Sequence, residues 1–348
     1  MAPPASALDG IDADLVTRWI STNVANTEAP FNFEFIAGGH SNLTFRVTDS
    51  RGREMVLRRP PLSHGLASAH DMSREHRIIT ALRGSAVPVA PALGLCIDPE
   101  VNGAPFYMME FVTGNILRDQ SSAERLLKPL ARQRAGTSLI ETMAAIHAVD
   151  INAVGLDDLA RHEAFIERQL KRWYGQFNAQ KTRELSAIDR VHDELRKRIP
   201  VQGPATIVHG DYRLDNCIVD DDGNISAVLD WEICTLGDPL ADLGLLMVYW
   251  TGPGDESINS GFQATKAQGF VNRQELAEKY AAITSRDISQ LNFYVAFAVW
   301  KLACILEGVY ARYVGGALGS RNANELEPFK DQVDSLATHA ETLLSQID

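Results

Sequence analysis

Two carboxylates and a carboxamide set the chemistry open to this chain: Asp211 and Asn216 in His209-Gly210-Asp211-Tyr212-Arg213-Leu214-Asp215-Asn216, then Asp230 in Asp230-Trp231-Glu232. The His-x-Asp-x-x-x-x-Asn spacing places Asp211 and Asn216 on one short loop. A carboxylate there can orient and deprotonate a hydroxyl, and a carboxamide oxygen can face a metal ion. Asp230 follows the apolar run Ala227-Val228-Leu229 and supplies a second hard oxygen, suited to Mg2+ held against nucleotide phosphates. Phosphoryl transfer asks little of a protein beyond positioning and charge neutralisation, and these side chains meet both needs. The competing explanation is a polar turn followed by a strand with acidic ends. It does not account for three roles arriving in this order and context. His209 reads as a brace for the loop, and Asp215 as a group facing solvent or a substrate cation.

These residues need a scaffold, and the hydrophobic pattern supplies one. A helix is expected over Ile11–Val24, with Leu15, Val16, Trp19 and Ile20 on its apolar face. Strands follow at Phe31–Ala37, Leu43–Thr48 and Glu54–Arg58, with Gly38-Gly39-His40-Ser41-Asn42 turning between the first two. A helix at Ala69–Arg83 precedes two further strands, Ala92–Ile97 and Phe106–Val112. Beyond Thr113-Gly114-Asn115 the pattern is helical: Ala131–Val149, Ala160–Phe177, Thr182–Arg198, Ser289–Tyr313 and Glu325–Gln346. The catalytic loop and the strand before Asp230 interrupt that run. Five strands with one helix after the third is the order of a kinase N-lobe.

The segment Ile207 to Leu246 resembles the catalytic core of the aminoglycoside phosphotransferase and choline kinase-like family, small-molecule relatives of the protein kinases. The N-terminal third resembles that family too. Within it, the chain is most similar to the branch that includes kinase domains fused to acyl-CoA dehydrogenases. The resemblance implies an α+β, two-lobed protein-kinase-like fold: residues 1–112 as a nucleotide-binding lobe with a five-stranded antiparallel sheet and one main helix, and 113–348 as a mostly helical lobe with the catalytic loop and substrate cleft. It implies ATP and Mg2+, with Asp211 as catalytic base and Asn216 and Asp230 as metal ligands. Gly38, Gly39, Ser41 and Asn42 would cover the phosphates, although this turn is not a GxGxxG. Arg58 stands where kinases place a Lys on the third strand, and its fork can bind two phosphate oxygens. Glu75, in the following helix, would be its partner, with Arg59 the solvated neighbour. The backbone at Glu110 and Val112 would recognise adenine. Asp238 and Asp242 resemble family positions that cap and anchor the next helix.

Several functions are excluded or weakened. Protein kinases carry Arg before the catalytic Asp and a long activation segment after the metal Asp; here Gly210 fills that place and only Trp231–Gly237 intervenes. A small-molecule hydroxyl is therefore the expected acceptor, either an amino alcohol or aminoglycoside or, from the branch resemblance, a hydroxyacyl thioester. A catalytically silent nucleotide-binding protein is the alternative, and a protein kinase a weaker one. A formal net charge of −12 argues against nucleic-acid binding, which needs a basic face. Hydrophobic residues at 45% and charged residues at 22% are ordinary for a soluble globular chain. Cys96, Cys217, Cys234 and Cys304 lack CxxC spacing and read as buried thiols of a reducing compartment. Asp9, Asp12 and Asp14 interrupt the region where a signal peptide would lie, and no membrane span is expected. The expected location is cytoplasmic. Oligomeric state leaves no signature.

Overall fold

Asp12 opens helix α1 (Ala13–Asn23) by accepting the Leu15 amide at 3.0 Å, one of the donors a helix start leaves unpaired. The inward face of α1, Val16 and Ile20, joins Phe45, Val47, Met55, Leu57, Phe106 and Met108 in one apolar cluster. The computed structural model describes residues 8–36, 42–62, 71–255, 263–315 and 323–347. The chain forms two units, one of Met1–Gly114 with Ser226–Glu232, the other of Asn115–Ile225 with Ile233–Asp348.

In the first unit, strands β1 (Asn32–Phe35), β2 (Leu43–Thr48), β3 (Glu54–Arg59), β4 (Ala92–Cys96) and β5 (Phe106–Glu110) form an antiparallel sheet in the order β1-β2-β3-β5-β4. Helix α2 (Met72–Leu82) follows β3, its Asp71 cap accepting the amides of Ser73 and Arg74 at 3.0 Å. Met72, Glu75, Ile78, Ile79 and Leu82 make its buried face. A carboxylate on that apolar stripe requires a buried partner. Between β4 and β5 the polar turn becomes one helical turn, α3 (Pro99–Asn102). Arg59 is not solvated as its strand-end position suggested. It is buried and donates to the carbonyls of Gly10 and Asn102 at 2.6 and 2.9 Å, tying the N-terminal segment to α3.

The second unit contains α4 (Gln120–Leu126), α5 (Pro129–His147), α6 (Phe165–Gln180), α7 (Ser186–Lys197), β6 (Thr206–Val208), β7 (Cys217–Val219), β8 (Ile225–Val228, passing into the first unit), β9 (Thr235–Gly237), α8 (Leu240–Tyr249), α9 (Arg273–Thr284), α10 (Leu291–Val314) and α11 (Ala323–Ser345). Helices α4 and α9 lack a strong apolar stripe and escape periodicity. They are marked instead by reciprocal caps, Asp119 with Ser122 and Asn272 with Glu275. Helix α10 is long and apolar enough to cross a bilayer by length and composition, a feature the sequence expectation had not allowed for. In the fold it packs against α11, α8 and α6. Helix α8 approaches α10 closely: a Cβ on Gly244 would lie 2.6 Å from the Tyr294 backbone, so only glycine permits this packing.

Candidate active site

The sequence-chosen residues fall into two sets, each assembled inside its own unit. In the first unit Arg58 lies on β3 between Thr44 of β2 and Tyr107 of β5. Its Nε donates to Glu75 Oε2 at 3.1 Å, and its Nη2 to Asp230 Oδ1 at 2.5 Å. The planar fork thus serves two carboxylates at once, a geometry an ammonium cannot copy. Burial opposes the charge on Arg58, yet Glu75, Tyr107 and Asp230 outweigh it and raise its pKa. Asp230 sits at φ 63°, a left-handed conformation that Asp tolerates better than most residues and that concentrates at functional sites. Its Oδ2 has no partner among the described residues.

Asn42 is buried, its Nδ2 donating to Glu232 Oε2 at 3.0 Å while its Oδ1 is a buried acceptor without a partner among the described residues. Gly38, Gly39 and Ser41 lie outside the described residues. At the end of β5, the Glu110 amide is spent on the Pro91 carbonyl at 2.9 Å and the Phe111 amide on the Glu54 carbonyl at 3.4 Å. Pro91 has no N–H to return. The Glu110 carbonyl and the Val112 amide are then the edge groups a purine could use, while the Glu110 carboxylate pairs with Arg53 at 2.5 Å.

In the second unit the catalytic loop spans β6 to β7 and is gripped from α8. Asp242 Oδ2 accepts the His209 amide at 2.7 Å, and Oδ1 the Gly210 amide at 2.8 Å. His147 Nε2 lies 3.3 Å from Oδ2, and its Nδ1 is 2.8 Å from the Tyr280 hydroxyl. With Nε2 protonated, Nδ1 accepts from Tyr280. Burial works against ionisation of Asp242, but His147, the charge effect of His209 and the Gly210 amide overcome it and hold its pKa below the ordinary value. Asp242 therefore clamps the loop and does not cap its helix. Asp238 does accept the Leu240 amide, at 3.1 Å, and also the Tyr294 hydroxyl at 2.7 Å. Gly210 takes φ 86°, and a Cβ there would meet the Ile233 side chain at 3.1 Å and its carbonyl oxygen at 3.2 Å, so this position admits only glycine.

Asp211 Oδ2 accepts Asn216 Nδ2 at 2.9 Å and Arg213 Nε at 3.1 Å. Asn216 Nδ2 also donates to the Asp211 carbonyl at 2.9 Å. The Asp211 Oδ1 and Asn216 Oδ1 atoms have no partner among the described residues, the first suited to a hydroxyl and the second to a hard cation. His209 is buried and its Nδ1 lies 3.3 Å from the Asp211 amide, a bracing position. Tyr212 anchors the loop to α5 through a 2.7 Å bond to the Leu139 carbonyl. Asp215 does not face solvent freely. It pairs with Arg213 at 2.9 Å, and burial, opposed by that cation, pushes its pKa up to about 6. Arg213 was missed from the sequence, though a lone cation between two acids on so short a loop is a usable signal. Lys301, whose ammonium lies 3.3 Å from the Gly210 carbonyl, carries no sequence signal because it arrives from distant α10.

Residues 32–278 match the model for the phosphotransferase enzyme family. The chain is 36% identical over 305 residues to acyl-CoA dehydrogenase family member 10 of Mus musculus, covering 86% of this chain and 28% of that protein. An inferred aminoglycoside phosphotransferase of Ralstonia eutropha JMP134 superposes with a TM-score of 0.80 at 32% identity, over 95% of this chain and 98% of the other. The GDP complex of aminoglycoside 2'-phosphotransferase-IIIa superposes at 0.63 with 12% identity, covering 94% and 99%, a likeness of fold alone. With a kinase-like two-lobed α+β architecture and this match over most of its length, the chain belongs to the phosphotransferase enzyme family.

Proposed function

We propose that this protein is an ATP- and Mg2+-dependent phosphotransferase that moves the γ-phosphoryl group to a hydroxyl of a small molecule, acting in the cytoplasm. The observation that carries this reading is the state of Asp211: one carboxylate oxygen is held by Asn216 and Arg213, and the other is left to a hydroxyl. As the acceptor oxygen bonds to the γ-phosphorus, the bond to the bridging oxygen breaks, ADP leaves, and the hydroxyl proton passes to Asp211. Late proton transfer in a loose transition state needs orientation more than a strong base. Arg58 would bind phosphate oxygens while Glu75 keeps its fork aligned. Asn216 and Asp230 would hold Mg2+, which supplies charge neutralisation along the phosphates. The Glu110 carbonyl and Val112 amide would recognise adenine. The acyl-CoA dehydrogenase name of one relative favours a hydroxyacyl thioester as acceptor, and the aminoglycoside enzymes among the structural neighbours favour an amino alcohol.

An ATP-consumption screen against small alcohols, with Asp211→Asn as the blank, tests the reading. The variant should lose roughly 10²-fold or more in kcat while nucleotide affinity stays unchanged, because Asp211 orients the acceptor and does not hold ATP. Near-normal turnover in Asp211→Asn removes it from the mechanism. No ATP consumption with any alcohol favours a silent nucleotide-binding protein.

A further inference from the structure

Beside the catalytic loop, wholly within the helical unit, lies a cavity of about 90 Å³ walled by Gln169, Arg172 and Trp173 of α6, by Gly210, and by Phe297 and Lys301 of α10. The Lys301 ammonium is 5.4 Å from the Trp173 ring centre and the Arg172 guanidinium 5.2 Å from it. Two cations therefore share one indole. Neither has a carboxylate partner among the described residues, although the protein carries a formal net charge of −12. The Asp242 carboxylate at the cavity wall is spent on His209, Gly210 and His147. Arg172 is exposed and Lys301 half-buried, so both charges can be reached by a solute in the cavity. Burial lowers the Lys301 pKa against the pull of Asp211 and Asp242, with Arg172 adding to the depression. An anion entering the cavity would meet both cations one residue from Asp211.

We propose that this cavity receives the anionic part of the acceptor, so that the substrate is a hydroxylated acid or its anionic thioester and not an amine, with Lys301 and Arg172 as specificity-determining residues. The inference rests on the phosphotransferase reading for the role of the hydroxyl, but charge selection is measured by binding alone, so the two can fail separately. Calorimetric titration of the full chain without nucleotide compares 3-hydroxybutyrate and 3-hydroxybutyryl-CoA with neutral 1,3-butanediol and cationic 3-amino-1-butanol. At least one anionic probe should bind about 10-fold or more tightly than the diol and the amino alcohol. Lys301→Met and Arg172→Gln should each weaken it about 10-fold, the scale of one lost charge contact, with ADP affinity unchanged. Preference between free acid and thioester tells a carboxylate from the phosphates of the carrier. Arg172 is exposed, so its variant tests the idea even if Lys301→Met misfolds. Binding of the amino alcohol or the diol as tight as that of the anions, no binding of either anion, or anion binding indifferent to Arg172→Gln and to any folded Lys301→Met overturns the proposal. Cation-dependent anion binding without ATP consumption by any alcohol sustains it and removes the phosphotransferase reading instead.

Discussion

Asp230 illustrates how much one side chain can be asked to do. Its Oδ1 is tied to Arg58 at 2.5 Å, and its backbone is held at φ 63°, so the second oxygen points from a fixed base. A ligand fixed this way loses little freedom when it takes up a cation. Asp230→Ala is expected to abolish the tightening of nucleotide binding by Mg2+, and Asn216→Ala to reduce it less completely, since a carboxamide brings no charge. Titrating ADP with and without Mg2+ reads this directly. Unchanged metal linkage in Asp230→Ala would take the residue out of the metal site. Arg58 keeps Glu75 as a partner in that variant, so the fold should survive.

At the scale of the element, α8 is the piece that sets the catalytic loop. Its first turn carries Asp242, whose two oxygens accept consecutive loop amides, and the positive φ of Gly210 lets the chain present both amides to one carboxylate. Asp242→Asn would turn an N–H donor toward a loop amide and leave His147 without its acceptor. A loss of about 3 kcal/mol at neutral pH is expected, the scale for breaking a buried charged network. In a domain of this size that is roughly 6–12 °C in Tm. Because the folded pKa of Asp242 is depressed below 3.8, its stabilisation is complete above that value and fades as pH falls through the folded pKa. The stability gap between wild type and variant, followed by urea unfolding, should therefore narrow in acid. A gap that widens in acid would contradict the clamp.

For the whole molecule, the telling fact is discontinuity. The first unit takes its sheet and α2 from residues up to Gly114 but its Asp230 from the excursion Ser226–Glu232. That excursion is bound to it by the Val228 amide on the Pro88 carbonyl at 2.8 Å as well as by the Arg58 pair. A fragment ending at Gly114 would leave Arg58 with one of its two carboxylates. Such a fragment should unfold at lower urea than the unit does in the full chain, and should bind ADP without any Mg2+ dependence. Mg2+-linked binding by the fragment would show that Asp230 is dispensable.

Much of this was legible in the residues. The strands β2 and β3, helix α2 and the long helices α5, α10 and α11 lie where the hydrophobic pattern put them, to within a few residues, because each is a sustained run of apolar residues, on one face of α2 and nearly all round α10. Arg58 and Glu75 could be matched as partners through the resemblance to kinases, which place a cation on the third strand and its acid on the following helix, and the 3.1 Å pair bears this out. Helices α4 and α9, built on caps more than stripes, were not legible. Nor were the buried place of Arg59, the pairing of Asp215 with Arg213, or the clamp made by Asp242. Each depends on a carbonyl, an amide or an opposite charge brought near by packing, and such groups carry no periodicity. Local chemistry along the chain determined which groups could move a phosphoryl group. Only the tertiary structure decided which oxygens of those groups remain open, and that Arg172 and Lys301 line a cavity beside Gly210, because a hydrogen bond or a shared cavity is a property of neighbours in space.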